Sequence, residues 1–178
     1  MIEIDEEIFF RDLETPIHLI DTFPNGNSLY LGHQQAVGGF PDRWAKTPAD
    51  YENALQALRE RNILAIYCCA DFIEDFREHF KWGHTLMESN ADYDILPACR
   101  SAWEFIDQNL QHGSVFVHCN AGCHRSATIV VGYLAWKLNI SVKESLKLVK
   151  SIRSCIDLGC FRSKLEEAVI KWRREKSI

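Results

Sequence analysis

The apolar positions of this chain follow two patterns, short continuous runs and longer stretches with helical spacing. The continuous runs, at 63–69 and 115–117, are typical of parallel strands that are covered on both faces. Near the amino end, strands over 17–23 and 29–31 flank the sequence PNGNS, whose Asn-Gly pair suits the tight turn of a hairpin. Strands alternating with helices predict a single α/β domain with a central, mostly parallel sheet flanked by helices.

Two helices are predicted before the second apolar run. Thr47 can cap a helix over 48–61, because a hydroxyl at this position accepts a hydrogen bond from a free amide of the first turn. The other helix covers 96–110, with Pro97 at its start and Gly113 as the residue that closes it. These two helices are expected to lie against the sheet.

Three more helices are predicted after that run. Residues 127–136 are apolar nearly all round, which describes a helix buried at the centre of the domain. Ser141 and Glu144 form a capping box at the start of the next helix. The last helix has a stripe of apolar residues at helical spacing, namely Phe161, Leu165, Val169 and Trp172.

The sequence HCNAGCHRS separates the strand at 115–117 from the buried helix, so it forms a loop at the carboxyl edge of the sheet. The first amides of a helix have no intrahelical partners and carry the positive end of its dipole, which makes such a loop an anion site. A thiol there, Cys119, has its pKa lowered toward the nucleophilic thiolate. Arg125 can offer a two-pronged donor to phosphate, Ser126 can donate to the sulfur, and Gly122 allows the loop to turn its amides inward.

This loop resembles the signature of the protein tyrosine phosphatase superfamily, and most closely that of its dual-specificity branch. The match requires His118, Cys119, Gly122, Arg125 and Ser126 together, with Cys119 and Arg125 separated by five residues. Weaker resemblance extends from SLYLG near residue 28 to the final helix. It implies an extension at 1–15 followed by a compact phosphatase-like domain at 16–178.

The resemblance implies a protein phosphatase that works through a cysteinyl-phosphate intermediate, without a metal or another cofactor. Cys119 is then the nucleophile, Arg125 holds the phosphate and Ser126 stabilises the departing sulfur. The substrate phosphate is expected to bind the residues of the loop, which are Asn120, Ala121, Gly122, Cys123, His124 and Arg125. The loop contains no lysine, which disfavours inositol phosphates, so a phosphoprotein is the expected substrate, with RNA 5′-phosphate chemistry second.

The general acid is where this chain departs from the family. Relatives place an aspartate at the position of Ser89, and a hydroxyl is too weak an acid to protonate a departing alkoxide. Of the nearby carboxylates Glu88, Asp92 and Asp94, Asp92 is the predicted acid, while Asp94 is expected to help cap the helix that follows. A phosphate-binding module with little or no turnover is the alternative function.

The seven cysteines allow other hypotheses. Cys119 and Cys123 could bind zinc together with His118 and His124, but such a site would leave Arg125 unexplained. A rhodanese-like sulfur carrier also uses a cysteine in an anion-binding loop, but it does not account for the Arg-Ser pair.

The remaining cysteines lead to two further expectations. Cys155 and Cys160 are predicted to be small buried hydrophobic residues. Cys68, Cys69 and Cys123 are candidates for trapping an oxidised Cys119 as a disulfide.

The chain has 178 residues, enough for one domain with a substantial core, and a formal charge of −5. That charge argues against a general nucleic-acid surface. No apolar segment has the length to insert in a membrane, and the acidic start MIEIDEEIFF is unlike a secretory leader. An odd number of cysteines without a framework spacing favours a reducing compartment, so the expected location is the cytoplasm, with entry to the nucleus also open. The sequence does not indicate an oligomeric state.

Overall fold

The structure is a computed structural model that describes residues 15–37, 48–71 and 75–177. At its centre lies a sheet of five strands. In chain order these are β1 (Ile17–Thr22), β2 (Ser28–His33), β3 (Ile63–Cys68), β4 (Lys81–His84) and β5 (Ser114–Cys119). Their order across the sheet is β1-β2-β5-β3-β4, with β1 antiparallel to β2 and every other pair parallel. The predicted mostly parallel sheet and the hairpin at its edge are confirmed.

The helices are α1 (Pro48–Glu60), α2 (Leu96–Asn109), α3 (Arg125–Lys137), α4 (Val142–Ile152) and α5 (Arg162–Lys176). All five were predicted, and the capping box of α4 is present in full, with Ser141 and Glu144 each binding the other's backbone amide. Thr47 lies outside the described residues. Gly113 does not close α2 in the left-handed conformation: α2 ends at Asn109, and Gly113 donates its amide to the Asn109 carbonyl at 3.1 Å.

Helices cover both faces of the sheet, as a parallel sheet requires. On one face, Val115 and Val117 of β5 pack into the main core with α2, α3 and α5. On the other face, Phe116 packs with α1 and with Phe76 and Phe80. This alternation follows from the two-residue period of a strand, and it explains why β5 reads as a continuous apolar run.

The strand β4 was not predicted. Its sequence KWGH contains no apolar run, because it lies at the edge of the sheet and pairs with β3 alone. Within the described ranges, no helix is both long enough and apolar enough to cross a bilayer.

The register of the sheet brings three strand ends together around the carboxyl end of β5. His33 at the end of β2 pairs with Cys119, and Cys68 at the end of β3 pairs with His118. The next residue, Cys69, donates its amide to the His118 carbonyl at 2.8 Å. The loop that follows Cys119 therefore begins at the centre of the sheet edge, between two parallel neighbours.

Candidate active site

The loop between β5 and α3 contains the predicted chemistry. It runs from Cys119, the last residue of β5, to Arg125, the first residue of α3, and we call residues 119–125 the signature loop. The loop lies at the amino end of a helix whose residues from Ser126 to Ala135 are buried. The free amides of the first turn of α3 therefore face the same region as the Cys119 thiol.

Cys119 is 2% exposed, and its sulfur accepts a hydrogen bond from the Ser126 hydroxyl at 3.2 Å. Burial alone would raise the pKa of the Cys119 thiol. Hydrogen bonds from the Ser126 hydroxyl and amide, the positive charge of Arg125 and the Gly122 amide outweigh burial and lower the pKa below its ordinary value. The sequence predicted both the contact with Ser126 and the direction of this shift.

Arg125 is partly buried, and its charge acts on Cys119 as described. Its guanidinium donates from Nη1 to the Met87 carbonyl at 3.5 Å. Met87 is buried and lies two residues before Ser89. This contact places the segment expected to hold the general acid beside the signature loop.

Gly122 has a backbone φ of +70°, a conformation that side chains resist. A Cβ at this position would also lie 2.2 Å from the carbonyl oxygen of Gly32 on β2. Gly32 is crowded in turn, since a Cβ there would lie 2.0 Å from the Pro16 carbonyl oxygen. The loop therefore packs against β2 at a distance that requires glycine at position 122, while Gly32 allows the close approach of Pro16.

His124 is held on two sides. Its Nε2 lies 3.0 Å from the Leu158 carbonyl oxygen, and its ring stacks on Phe161 with centroids 4.7 Å apart. Because a carbonyl only accepts hydrogen bonds, Nε2 carries a hydrogen and the Nδ1 of the neutral ring can accept one from the Ser89 hydroxyl, 3.4 Å away. Burial lowers the pKa of His124, which favours this neutral form.

In the segment expected to hold the general acid, the side chain with a hydrogen bond to the signature loop is Ser89, rather than one of the three carboxylates. Asp92 is exposed and lies in a turn in which Asn90 Oδ1 accepts the Asp92 and Tyr93 amides at 3.0 and 2.8 Å. Asp94 accepts the Leu96 amide at 3.0 Å, which confirms its predicted capping role. Glu88 is exposed and accepts from the Asn90 side chain at 2.8 Å.

Cys123 forms a disulfide with Cys155, and the two Cα atoms are 5.5 Å apart. It is therefore not a free thiol that could trap an oxidised Cys119. The prediction that Cys155 and Cys160 are buried apolar residues is wrong for both. Cys155 is bonded to the loop, and Cys160 is exposed because it faces solvent from a short turn before α5.

Cys68 and Cys69 are buried at the end of β3. Burial raises the pKa of the Cys69 thiol well above its ordinary value, and the nearby Cys119 raises it further. Both cysteines lie at the sheet edge next to the signature loop, so both remain candidates for trapping an oxidised Cys119. In the described part of the chain, no three His, Cys, Asp or Glu side chains cluster in a way that could hold a metal ion.

Arg153 is the residue at this site that sequence reasoning missed. It is completely buried, and its Nε and Nη2 donate to the carbonyls of Gly122 and Ala121 at 2.9 and 2.8 Å. The sequence does contain a signal. Ser145 and Val149 are buried on α4, and Arg153 takes the next place in this four-residue spacing. A charged residue on a buried stripe must have partners in the interior.

Three features define the site of a cysteine-dependent phosphatase. They are a cysteine of lowered pKa at a helix amino end, an arginine of the same loop beside it, and loop amides turned toward the sulfur. Residues 47–170, more than half of the chain, match the model of the family described as dual specificity phosphatase, catalytic domain. The chain belongs to this family.

Named relatives agree with this assignment. Dual specificity protein phosphatase 19 of Mus musculus is 30% identical over 152 residues, which cover 80% of this chain and 68% of that protein. A probable dual specificity protein phosphatase of Dictyostelium discoideum is 30% identical over 109 residues, covering 61% of this chain and 27% of that protein. The match to a second probable dual specificity protein phosphatase of Dictyostelium discoideum covers 29% of that protein. This chain therefore spans between a quarter and a third of the length of these two relatives.

Solved structures show the same fold. Human DUSP28 matches with a TM-score of 0.71 at 17% identity, over 89% of this chain and 95% of that chain. The human tyrosine phosphatase-like serine/threonine/tyrosine-interacting protein matches with a TM-score of 0.66 at 24% identity, over 84% of this chain and 93% of that one.

Proposed function

We propose that this chain is a protein phosphatase that hydrolyses phosphomonoesters through a cysteinyl-phosphate intermediate. The observation that carries the proposal is the state of Cys119. The Ser126 hydroxyl lies 3.2 Å from its sulfur, and the surrounding groups lower its pKa in spite of burial. Such a thiolate is a nucleophile at neutral pH, whereas a structural cysteine in an apolar core is inert.

The reaction follows from the positions of these groups. The Cys119 thiolate attacks phosphorus, an S–P bond forms and the bond to the leaving oxygen breaks, while the loop amides and Arg125 hold the remaining phosphate oxygens. Water then attacks phosphorus, its proton passes to the conjugate base of the general acid, and the S–P bond breaks. The Ser126 hydroxyl donates to the departing sulfur, which leaves as a thiolate. Arg125 and the amides supply the positive potential, so this route uses no metal or other cofactor.

The proposed substrates are phosphoproteins, with phosphotyrosine first and phosphoserine and phosphothreonine after it. The absence of lysine between Cys119 and Arg125 supports this choice over highly charged inositol phosphates. We place the domain at 16–178 and the protein in the cytoplasm, with entry to the nucleus open. Five of the seven cysteines are free thiols, which suits a reducing compartment, whereas the Cys123–Cys155 disulfide is a bond that such a compartment disfavours.

Asp92 remains the proposed general acid, and movement of its exposed loop would be needed to bring its carboxyl group to the leaving oxygen. The contact between Ser89 and His124 favours a second candidate function, a phosphate-binding module with little turnover. In that case a hydroxyl occupies the place of the acid and protonation of the leaving group is weak.

Substitution of Cys119 by serine tests the proposal. We expect Cys119→Ser to eliminate turnover of nitrophenyl phosphate and still bind vanadate, because the anion site is made by backbone amides and Arg125. Cys160→Ser is the control, since Cys160 is an exposed free thiol. Arg125→Lys should also lose most activity, because an ammonium group cannot replace the two-pronged guanidinium. Turnover by Cys119→Ser near the wild-type rate would exclude the mechanism, and vanadate binding by a wild-type protein without turnover would establish the binding module.

A further inference from the structure

Residues 153–158 follow α4 and contact the signature loop at four positions. We call these six residues the strap. Arg153 donates to the carbonyls of Ala121 and Gly122. Cys155 is bonded to Cys123, whose carbonyl also accepts the amide of Asp157 at 3.0 Å. Leu158 accepts from the His124 ring. Four consecutive loop residues, 121–124, are therefore attached to the strap.

The direction of these contacts determines where the loop amides point. In a planar trans peptide, the N–H of each residue points opposite to the carbonyl of the residue before it. The carbonyls of Ala121, Gly122 and Cys123 point at the strap. The amides of the residues that follow them, Gly122, Cys123 and His124, must therefore point away from the strap. The Gly122 amide does so, since it is one of the groups that lower the pKa of the Cys119 thiol.

Arg153 is built into the core so that it can hold two of these peptides at once. Its side chain is completely buried, and Nε and Nη2 are neighbouring donors of one planar guanidinium. They bind two successive carbonyls, those of Ala121 and Gly122. The third nitrogen, Nη1, is anchored on the other side by the His18 Nδ1 at 2.8 Å and by the Thr15 carbonyl at 3.3 Å.

We propose that Arg153 is a positioning residue of the phosphate-binding loop: it fixes the Ala121 and Gly122 peptides so that their amides face Cys119 and the substrate phosphate. This inference rests on the proposed function of the loop. In this role Arg153 acts through the loop backbone, by way of the Ala121 and Gly122 carbonyls. Without the Arg153 guanidinium, these two peptides could rotate. The Gly122 amide would then turn away from the Cys119 thiolate, and the loop would bind a phosphate-like anion more weakly.

The test compares Arg153→Lys with Arg173→Lys. Arg173 is a matched control, because its Nη2 also donates to two backbone carbonyls, those of Ala135 and Ile140, at the junction of α3 and α4. Both substitutions keep the charge and remove a guanidinium that holds backbone carbonyls of another segment, those of the signature loop for Arg153 and those of the α3–α4 junction for Arg173. Three quantities are measured: the melting temperature, the pH dependence of Cys119 alkylation by iodoacetate, and the dissociation constant of vanadate.

Both variants should melt at lower temperature, but only Arg153→Lys should change the loop. We expect the alkylation profile of Arg153→Lys to move to higher pH by about one unit, which makes alkylation about tenfold slower below the pKa. Its affinity for vanadate should fall about tenfold, the scale of one charge-assisted hydrogen bond. Arg173→Lys should keep the wild-type profile and affinity.

Equal alkylation profiles and equal vanadate affinities in the two variants would overturn the proposal and leave Arg153 with a purely structural role. If Arg153→Lys does not fold, His18→Ala is measured in its place, because this substitution removes one hydrogen-bond partner of Arg153 and keeps the arginine. The alkylation profile of His18→Ala should shift in the same direction. An unchanged profile would contradict the proposal. Neither readout requires turnover. If the wild type hydrolyses no phosphate ester and Arg153→Lys still differs from it in alkylation profile and vanadate affinity, the proposed function is contradicted and the positioning role is supported.

Discussion

Opening the Cys123–Cys155 disulfide should destabilise the domain by an amount that can be worked from the fold. The two cysteines are 32 residues apart, and the segment between them contains α3 and α4. In the chain-entropy account, a closed loop of this length stabilises the folded state by roughly 3.5–4 kcal/mol relative to the reduced chain. For a domain of this size, that free energy corresponds to a fall in melting temperature of roughly 7–15 °C.

The assay is thermal unfolding followed by circular dichroism, with and without a reductant, on the wild type, Cys155→Ser and Cys160→Ser. The wild type should melt at lower temperature when reduced, and Cys155→Ser should match the reduced wild type under both conditions. Cys160→Ser is the control, because Cys160 lies five residues further along and is an exposed free thiol. This variant should keep both the wild-type melting temperature and the sensitivity to reductant.

The same perturbation should affect the signature loop less than it affects stability. Reduction removes one attachment of the strap, but the hydrogen bonds from Arg153 to Gly122 and from the Asp157 amide to Cys123 remain. We therefore expect vanadate affinity to fall less in Cys155→Ser than in Arg153→Lys. A Cys155→Ser variant that melts at the same temperature as the oxidised wild type, with no effect of the reductant on either protein, would show that the constraint is absent in solution.

Asp92→Asn should steepen the dependence of turnover on leaving-group pKa and remove the basic limb of the pH profile; a dependence already steep in wild type and unchanged in the variant would exclude Asp92 as the acid. After mild peroxide, peptide mapping should find Cys119 linked to Cys68 or Cys69, and direct formation of higher oxides would contradict this. Gly122→Ala should lower the free energy of unfolding, measured with denaturant, by roughly 1–2 kcal/mol because of its positive φ. It should lower it further because the added Cβ would lie 2.2 Å from a carbonyl oxygen of β2. Gly26→Ala, with a φ of +83° and no atom within 4 Å of the added Cβ, should lose only the contribution of the positive φ.

The parts of the fold that the sequence predicted are those with local signals. The capping box of α4 occupies four consecutive residues, and the hairpin turn is marked by an Asn-Gly pair. The continuous apolar run of β5 indicates that this strand is buried, and the all-round apolar pattern of α3 indicates the same for this helix. The chemistry of the signature loop was predicted for the same reason, since Cys119, Arg125 and Ser126 lie within eight residues of one another.

The sequence alone did not identify the groups that support this loop. Arg153 lies 31 residues after Gly122, and Cys155 lies 32 residues after Cys123, so neither pairing has a local pattern. The edge strand β4 also lacked a pattern, because pairing with β3 rather than an apolar run makes it a strand. Such contacts depend on how tertiary packing brings the segment after α4 beside the signature loop.

The general acid illustrates the same division. Counting along the chain placed Ser89 where relatives have an aspartate, and the structure brings the Ser89 hydroxyl to 3.4 Å from the His124 ring. Sequence can name the residue types near such a position, but the exposed loop that holds Asp92 has no periodic pattern that would set the direction of a side chain. The identity of the nucleophile is thus determined by residues adjacent in sequence. The orientation of the amides around it is determined by tertiary contacts, because only a group from another element can hold a loop carbonyl in place.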